Sequence, residues 1–275
     1  MTTKTLYIKL IYACLIGIAA LSIPIVIFEK LGIMSDNALH KHLIQSCFSG
    51  FIAIIGIWFL RVKLDKATPI SIGLLKPKKA LTHFLFGFGL IAIPLIITIV
   101  LSITFGWGEV SFNISNAILY GAILGLISIF FTDAITEELI FRGYIFSNLK
   151  ERFGTWTSSL ITLLVFVAVP VIIIVIQKFF GVDSAVPING GFIITLLFFG
   201  AFVQYLRVLT KSIWVGVGFH LFFVQMNQLI GITDSSLIEF SETSNQQSIQ
   251  ITLIVLLLII FVSLIAYPFI MKRKI

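Results

Sequence analysis

The sequence predicts an all-α polytopic membrane bundle of about eight transmembrane helices, with the N- and C-termini both cytoplasmic. Three observations predict it: the composition, the spacing of the apolar runs and the placement of the basic residues. Hydrophobic residues make up 59% of the chain and charged residues only 11%, whereas soluble domains carry roughly 25% charged residues. Because this composition cannot build a water-facing surface, most of the surface must face lipid.

The apolar runs give the individual spans, since a helix needs about 20 mostly apolar residues to cross a bilayer. The predicted spans are 6–28, 43–60, 81–105, 117–136, 157–176, 191–208, 212–231 and 249–271. Polar or glycine-containing stretches such as GWGEVSFNISN separate them. The chain has no obvious linker, so residues 1–275 form a single transmembrane domain. The first run is longer than the apolar core of a signal peptide and is interpreted as a retained span.

The basic residues give the orientation. Sixteen of the 19 fall on one side of the predicted bundle: Lys4, Lys9, Arg61, Lys63, Lys66, Lys76, Lys78, Lys79, Arg142, Lys150, Arg152, Arg207, Lys211, Lys272, Arg273 and Lys274. The other side has only Lys30, Lys41 and Lys178. Basic residues near span ends stay cytoplasmic, so this asymmetry places both termini there, in a multi-pass protein of the cell membrane. Topology therefore explains the net charge of +7, and we expect the lipid bilayer, not nucleic acid, as a partner.

Placing an ionisable residue inside a membrane costs free energy, so such residues indicate a functional role as the first hypothesis. Asp133, Glu137, Glu138 and Arg142 follow one another within residues 130–146. Helical neighbours sit three and four residues apart, so Glu138 should face Arg142 while Glu137 diverges from Glu138 by about 100°. One carboxylate can then pair with the guanidinium and leave the other free for acid–base work. The alternative is a charged helix end at the cytoplasmic interface.

A second polar position lies in the seventh predicted span. His220 stands in the apolar run SIWVGVGFHLFFVQMNQLI, on the inner half of the helix. A lone histidine in such a helix is more often a hydrogen-bond partner for helix packing than a catalyst. However, its depth matches that of the glutamate pair, and a cavity open to the cytoplasm would bring both together.

These residues carry a family resemblance. The string EELIFRG at 137–143 resembles the first motif of the CPBP family, the CAAX-protease and bacteriocin-processing group also called Abi, and FGAFVQYLRVLTKSIWVGVGFH at 199–220 resembles its late region. The resemblance covers a CPBP-like core at 117–230. It implies helices around a cytoplasm-facing cavity and intramembrane proteolysis of a membrane-associated peptide or protein. It also implies roles: Glu137 as the base that activates water, Glu138 and Arg142 as its supporting pair, and His220 as a stabiliser of the oxyanion.

Two departures from the family pattern bear on activity. The middle motif, a phenylalanine followed four residues later by a histidine, is matched here by Phe166 and Pro170. Proline has no side-chain donor or acceptor. The asparagine expected four residues after the last histidine is Val224. His83 or Gln177 is a candidate replacement for the first group, and Asn227 for the second.

Several alternatives therefore stay open. A catalytically degenerate member would act as a membrane scaffold, an envelope regulator or a bacteriocin-immunity protein. A transporter is disfavoured, because the halves show no convincing repeat and no paired broken helices. No cofactor is expected, although a divalent metal held by Glu137 and His220 remains an alternative to test. The sequence does not give the oligomeric state.

Overall fold

The computed structural model describes residues 3–34, 37–107, 110–182, 187–231, 237–240 and 254, and the account below concerns these residues. They form a bundle of long helices with one small sheet. The helices are α1 (Thr3–Lys30), α2 (Ala38–Phe59), α3 (Pro77–Thr104), α4 (Asn116–Ile129), α5 (Ile135–Glu137), α6 (Phe146–Phe179), α7 (Gly190–Thr210) and α8 (Trp214–Leu229). The strands are β1 (Val110–Phe112), β2 (Ile230–Gly231) and β3 (Ile238–Phe240).

The prediction of an all-α multi-pass membrane bundle is confirmed, but the count differs from eight. Within the described ranges, five helical stretches are long and apolar enough to cross a membrane, and Trp214–Met226 is a shorter apolar helix. The predicted spans 117–136 and 157–176 both lie in one helical stretch, Asn116–Phe179, which Gly154 interrupts between them. The predicted span 249–271 lies outside the described residues, apart from residue 254. The cytoplasmic placement of the termini stays a prediction.

The stretch from 116 to 179 is not a regular α-helix. Wider turns of π-helix occupy Phe130–Ala134 and Glu138–Ile145, with the short α5 between them. Gly154 then breaks the helix at a φ of 74°, a left-handed conformation that glycine adopts without strain. The π turns coincide with the charged residues of the first motif, and such turns are frequent at functional sites.

The close contact between α3 and α8 fixes the depth of α8. At Gly87, an added Cβ would lie only 2.0 Å from the backbone oxygen of Val215. At Gly218, it would lie 2.0 Å from the backbone oxygen of Phe84. The two helices therefore touch backbone to backbone, as small residues allow between membrane helices. Gly218 lies two residues before His220, so this contact also positions the histidine.

The sheet joins two stretches that the sequence predicts only as polar connections between spans. β1 pairs with β3 in antiparallel register, and β2 pairs with β3 in parallel, giving the order β1-β3-β2. The side chain of Asn113, just after β1, donates to Glu239 at 3.3 Å. The connection after α3 is thereby tied to the connection after α8.

Candidate active site

A buried ion pair lies at the centre of the bundle. Oε1 of Glu138 accepts a hydrogen bond from Nη1 of Arg142 at 3.1 Å, in the i, i+4 arrangement that the spacing predicts. Nδ1 of His220 lies 3.4 Å from the same oxygen. Glu138 is 0% exposed, Arg142 1% and His220 5%. Because an ionised carboxylate only accepts, we assign the proton on this side of the imidazole to Nδ1.

The guanidinium of Arg142 is held by two further helices. Its Nη2 donates to the backbone oxygen of Gly200 in α7 at 3.1 Å. Its Cζ lies 4.0 Å from the ring centroid of Phe166 in α6, within the range of a cation–π contact. A Cβ at Gly200 would lie 2.7 Å from the Phe166 ring. Only glycine therefore lets α7 come close enough for this carbonyl to reach the arginine.

Glu137 has different surroundings from its neighbour Glu138. Its side chain is only partly buried, and it forms no ion pair with any residue the structure describes. The charges of His220, Asp133, Arg142 and Glu138 act on its carboxylate. The two adjacent glutamates thus diverge, as the helical geometry predicts: Glu138 is held in the ion pair, and the side chain of Glu137 is partly exposed.

Several buried polar atoms on the helices that carry the two motifs have no hydrogen-bond partner among the described residues. They include Oε2 of Glu138, Nε of Arg142, Oγ1 of Thr132 and both amide atoms of Gln225. Buried polar groups are normally satisfied by protein or by ordered water. A Cβ at Gly216 would lie 2.7 Å from Oε2 of Glu138, so the space beside this carboxylate depends on a glycine in α8.

The middle-motif position and the two candidate replacements lie on α6 and α3. Pro170 lies one helical turn beyond Phe166 in α6. Gln177 is buried further along the same helix, where its amide donates to the backbone oxygen of Leu21 at 3.5 Å. His83, in α3, has a buried Nδ1 without a partner among the described residues.

The late-motif position is also apolar. Val224 packs against the hydrophobic core of the bundle. The side chain of Asn227 lies outside the described part of the chain. The nearest described amide beyond the histidine is Gln225, which is 0% exposed. Metal binding gains no support: within the described ranges no three His, Cys, Asp or Glu residues are grouped as a metal site requires.

Three contributors to the site went unrecognised as such in the sequence. Phe166 was assigned to a motif, but its contact with Arg142 was not foreseen. Gly200 and Gly216 were parts of a resembling string and carried no individual role. A usable signal existed, since an isolated glycine inside an apolar helix commonly marks a close approach.

Comparison with known protein families gives a match over the candidate site. Residues 118–226 match the model of the family described as Type II CAAX prenyl endopeptidase, Rce1-like. This range contains the complete constellation of Glu137, Glu138, Arg142 and His220. No curated protein and no solved structure matches the chain significantly.

Proposed function

The chain belongs to the CPBP family of CAAX-type proteases through residues 118–226, and we propose that it is an intramembrane endopeptidase in which Glu137 activates water. One observation carries the proposal. Glu137 is partly accessible and free of ion pairs among the described residues, whereas the adjacent Glu138 is bound to Arg142 and His220. Two neighbouring carboxylates with different environments can take different roles.

In this mechanism the carboxylate of Glu137 removes a proton from a water molecule. The water oxygen adds to the carbonyl carbon of the scissile peptide bond, and the carbonyl oxygen becomes the oxyanion of a tetrahedral intermediate. Collapse of the intermediate breaks the carbon–nitrogen bond. The leaving nitrogen takes the proton from Glu137, which returns to its carboxylate form. The products are a new carboxylate and a new amine.

His220 acts on the developing oxyanion. Its Nδ1–H is directed to Glu138, so a ring protonated on both nitrogens offers Nε2–H to the substrate. A positioned donor of this kind contributes about 2.7–4 kcal/mol to transition-state stabilisation. Glu138 and Arg142 are positioning residues in this scheme, because Glu138 holds the imidazole, Arg142 holds Glu138, and neither touches the reacting atoms.

The substrate class follows from the family. Type II CAAX prenyl endopeptidases are named for prenylated C-terminal sequences, and the first substrate to test is therefore a membrane-associated peptide of this class. The apolar surface of the bundle would keep substrate and enzyme in one bilayer. Placement in the cell membrane, with the site toward the cytoplasm, rests on the basic residues at the span ends.

The test is cleavage of an internally quenched peptide by the full-length protein in liposomes. The peptide ends in a farnesylated cysteine, two aliphatic residues and a final residue, and an unprenylated copy shows whether the lipid is needed. We expect E137Q to lose at least about a hundredfold in kcat/KM, because removing a general base costs 10²–10⁴-fold. The matched control is E29Q, the same change at a glutamate 43% exposed. Equal turnover of wild type and E137Q contradicts the mechanism.

A second function is favoured by Pro170 and Val224, which replace the family's polar residues in two motifs. A catalytically silent member would retain the buried ion pair for folding and bind a membrane peptide or protein, as an immunity protein or envelope regulator would. In that case the wild type cleaves neither peptide, and E137Q preserves the cellular phenotype of the gene at normal protein levels. A phenotype lost in E137Q but not in E29Q favours the protease.

A further inference from the structure

A polar cavity lies apart from the glutamate pair, between α6, α7 and the connection that follows α2. Its volume is about 440 Å³. Its polar lining consists of Arg61, Ser71, Ser147, Lys150, Glu151, Arg207 and Lys211. Four of these side chains are cationic and only one is anionic. All four cationic residues are among the basic residues that are predicted to lie at the cytoplasmic end.

Arg207 is the buried element of this cavity. Its side chain is 8% exposed, with Nε donating to the backbone oxygen of Arg142 at 3.0 Å and Nη2 donating to Oγ of Ser147 at 3.3 Å. Gly73 packs against the guanidinium, since a Cβ there would lie 3.0 Å from Cζ of Arg207. Among the described residues, no carboxylate lies within ion-pair distance of this arginine.

An arginine this buried normally has an anionic partner, because desolvating an unpaired charge is expensive. The carboxylate whose charge does act on Arg207 is that of Glu138, which is already paired with Arg142 and His220. The neutral partners of Arg207 satisfy two of its donors without balancing its charge. The cavity therefore presents a fixed and uncompensated positive charge.

The other charged residues of the cavity do not compensate it. Arg61 is paired with Asp65 at 2.9 Å, and Lys9 shares that carboxylate at 2.6 Å. Glu151 is 59% exposed and lies 3.9 Å from Arg61. Lys150 and Lys211, by contrast, are exposed at the rim of the cavity, and Nζ of Lys150 lies 5.8 Å from the ring centroid of Phe146.

An apolar groove adjoins the cavity. It lies between α6 and α7, has a volume of about 260 Å³, and is lined by residues including Trp156, Leu160, Leu163 and Ala201. Val208 lines both the groove and the polar cavity. An anion bound at Arg207 could therefore be continuous with a hydrocarbon chain along the bundle.

From this arrangement we propose that the cavity at Arg207 binds the phosphate group of an anionic phospholipid, whose hydrocarbon chain the adjoining groove suits. A guanidinium, the hydroxyl of Ser147 and two rim lysines match the several oxygens of a phosphate. The hydroxyl of Ser71 already donates to the backbone oxygen of Thr68. Basic pockets between membrane helices on the cytoplasmic side are typical sites for anionic headgroups. A free phosphate would use the same polar groups without the groove.

Binding is measured by native mass spectrometry on the full-length protein in neutral detergent. The probes are dioctanoyl phosphatidylglycerol, dioctanoyl phosphatidylcholine and inorganic phosphate. We expect phosphatidylglycerol to bind more tightly than phosphatidylcholine. In K150Q/K211Q its affinity should fall by at least about tenfold, because each lysine near a headgroup contributes about 1 kcal/mol. The matched control, K78Q/K79Q, removes two exposed lysines outside the cavity and should change it less than about twofold.

The source of the phosphate is decided by A201F, which fills the groove and leaves the polar lining intact. Weaker phosphatidylglycerol binding with unchanged inorganic phosphate binding supports the lipid. Binding of inorganic phosphate alone, lost in K150Q/K211Q, supports a free phosphate at the same cavity. Equal binding of both lipids, or equal losses in the two lysine variants, overturns the proposal. R207Q adds a test of the buried charge, and the lysine pair keeps the outcome readable if R207Q does not fold.

Discussion

Nδ1 of His220 lies 3.4 Å from Oε1 of Glu138, so two residues 82 positions apart share one buried contact. Arg142 binds the same oxygen from the other side. This oxygen therefore connects the helix of the first motif to the helix of the late motif. Because all three side chains are buried, the loss of any one leaves the others without compensation.

The first prediction concerns the charge balance of this contact. E138Q leaves the guanidinium of Arg142 buried without an anion and should destabilise the protein by about 3–5 kcal/mol. R142Q should have a similar cost. The double variant E138Q/R142Q should lose less than the sum of the two, because the residues interact directly.

Unfolding of the purified variants in mixed micelles, with increasing SDS, measures these differences. E29Q is the control, since Glu29 is 43% exposed and its pairing with Lys41 is worth about 0–1 kcal/mol. Strictly additive losses in the double variant would contradict the direct coupling of Glu138 and Arg142.

The second prediction concerns Gly216. An alanine Cβ at this position would lie 2.7 Å from Oε2 of Glu138 and 2.9 Å from a methyl group of Val203. G216A should therefore displace the carboxylate and cost about 1–3 kcal/mol, as overpacking does elsewhere. If the chain is a protease, the displaced carboxylate no longer holds His220, and kcat should fall more than KM rises.

The control for G216A is G121A. Gly121 lies in α4, and an added Cβ there meets nothing within 4 Å, so this alanine should be neutral or stabilise the helix by up to about 1 kcal/mol. SDS unfolding and peptide cleavage are measured on both variants. Equal behaviour of G216A and G121A would show that Glu138 is not confined by α8.

Local patterns predicted those parts of the fold that depend on local chemistry. The apolar runs gave the helices because spanning length and hydrophobicity are properties of a single segment. The spacing of Glu138 and Arg142 gave their ion pair because i, i+4 neighbours face each other on any helix. The rotation of about 100° between consecutive helical residues likewise predicted that Glu137 and Glu138 point in different directions.

Features that depend on packing between helices were not predicted. The π turns around Glu138–Ile145 insert a residue per turn, and only tertiary contacts offset the weaker local geometry. The contact of Phe166 with Arg142 joins two segments through their arrangement in space. The short β1 and β3 strands lie in polar connections, 130 residues apart at the paired Val110 and Phe240, where no periodicity indicates a partner.

The third prediction concerns the α3–α8 contact. G87A and G218A each place a Cβ 2.0 Å from a backbone oxygen of the other helix, so the helices must separate. We expect each to lower resistance to SDS unfolding by about 1–3 kcal/mol. The double variant should cost less than the sum, because one separation relieves both clashes.

The control for this contact is G89A, on the same helix. The nearest atom to a Cβ there is a side-chain methyl of Ile93 at 3.6 Å, an ordinary van der Waals distance. G89A should be as stable as the wild type or slightly more stable, since alanine favours helix over glycine. A G89A loss as large as that of G87A would mean that helix propensity, not close approach, dominates on α3.

The fourth prediction concerns a second buried charge cluster, at the predicted cytoplasmic end. The carboxylate of Asp65 pairs with Nζ of Lys9 at 2.6 Å and with Nη1 of Arg61 at 2.9 Å. It also accepts a hydrogen bond from the hydroxyl of Tyr144 at 3.2 Å. This one carboxylate therefore joins α1, the end of α2 and the helix that carries the first motif. D65N would leave two buried cations sharing a neutral amide, and should cost about 3–5 kcal/mol.

The comparison for D65N is E151Q, which changes an acid near the same Arg61. Glu151 is 59% exposed and 3.9 Å from that guanidinium, so its loss should cost less than about 1 kcal/mol. The cost of D65N should persist at high salt, because buried pairs are screened far less than exposed ones. A D65N loss that disappears in 1 M salt would indicate a solvated cluster, and would remove the link between the N-terminal helix and the helix of Glu137 and Glu138.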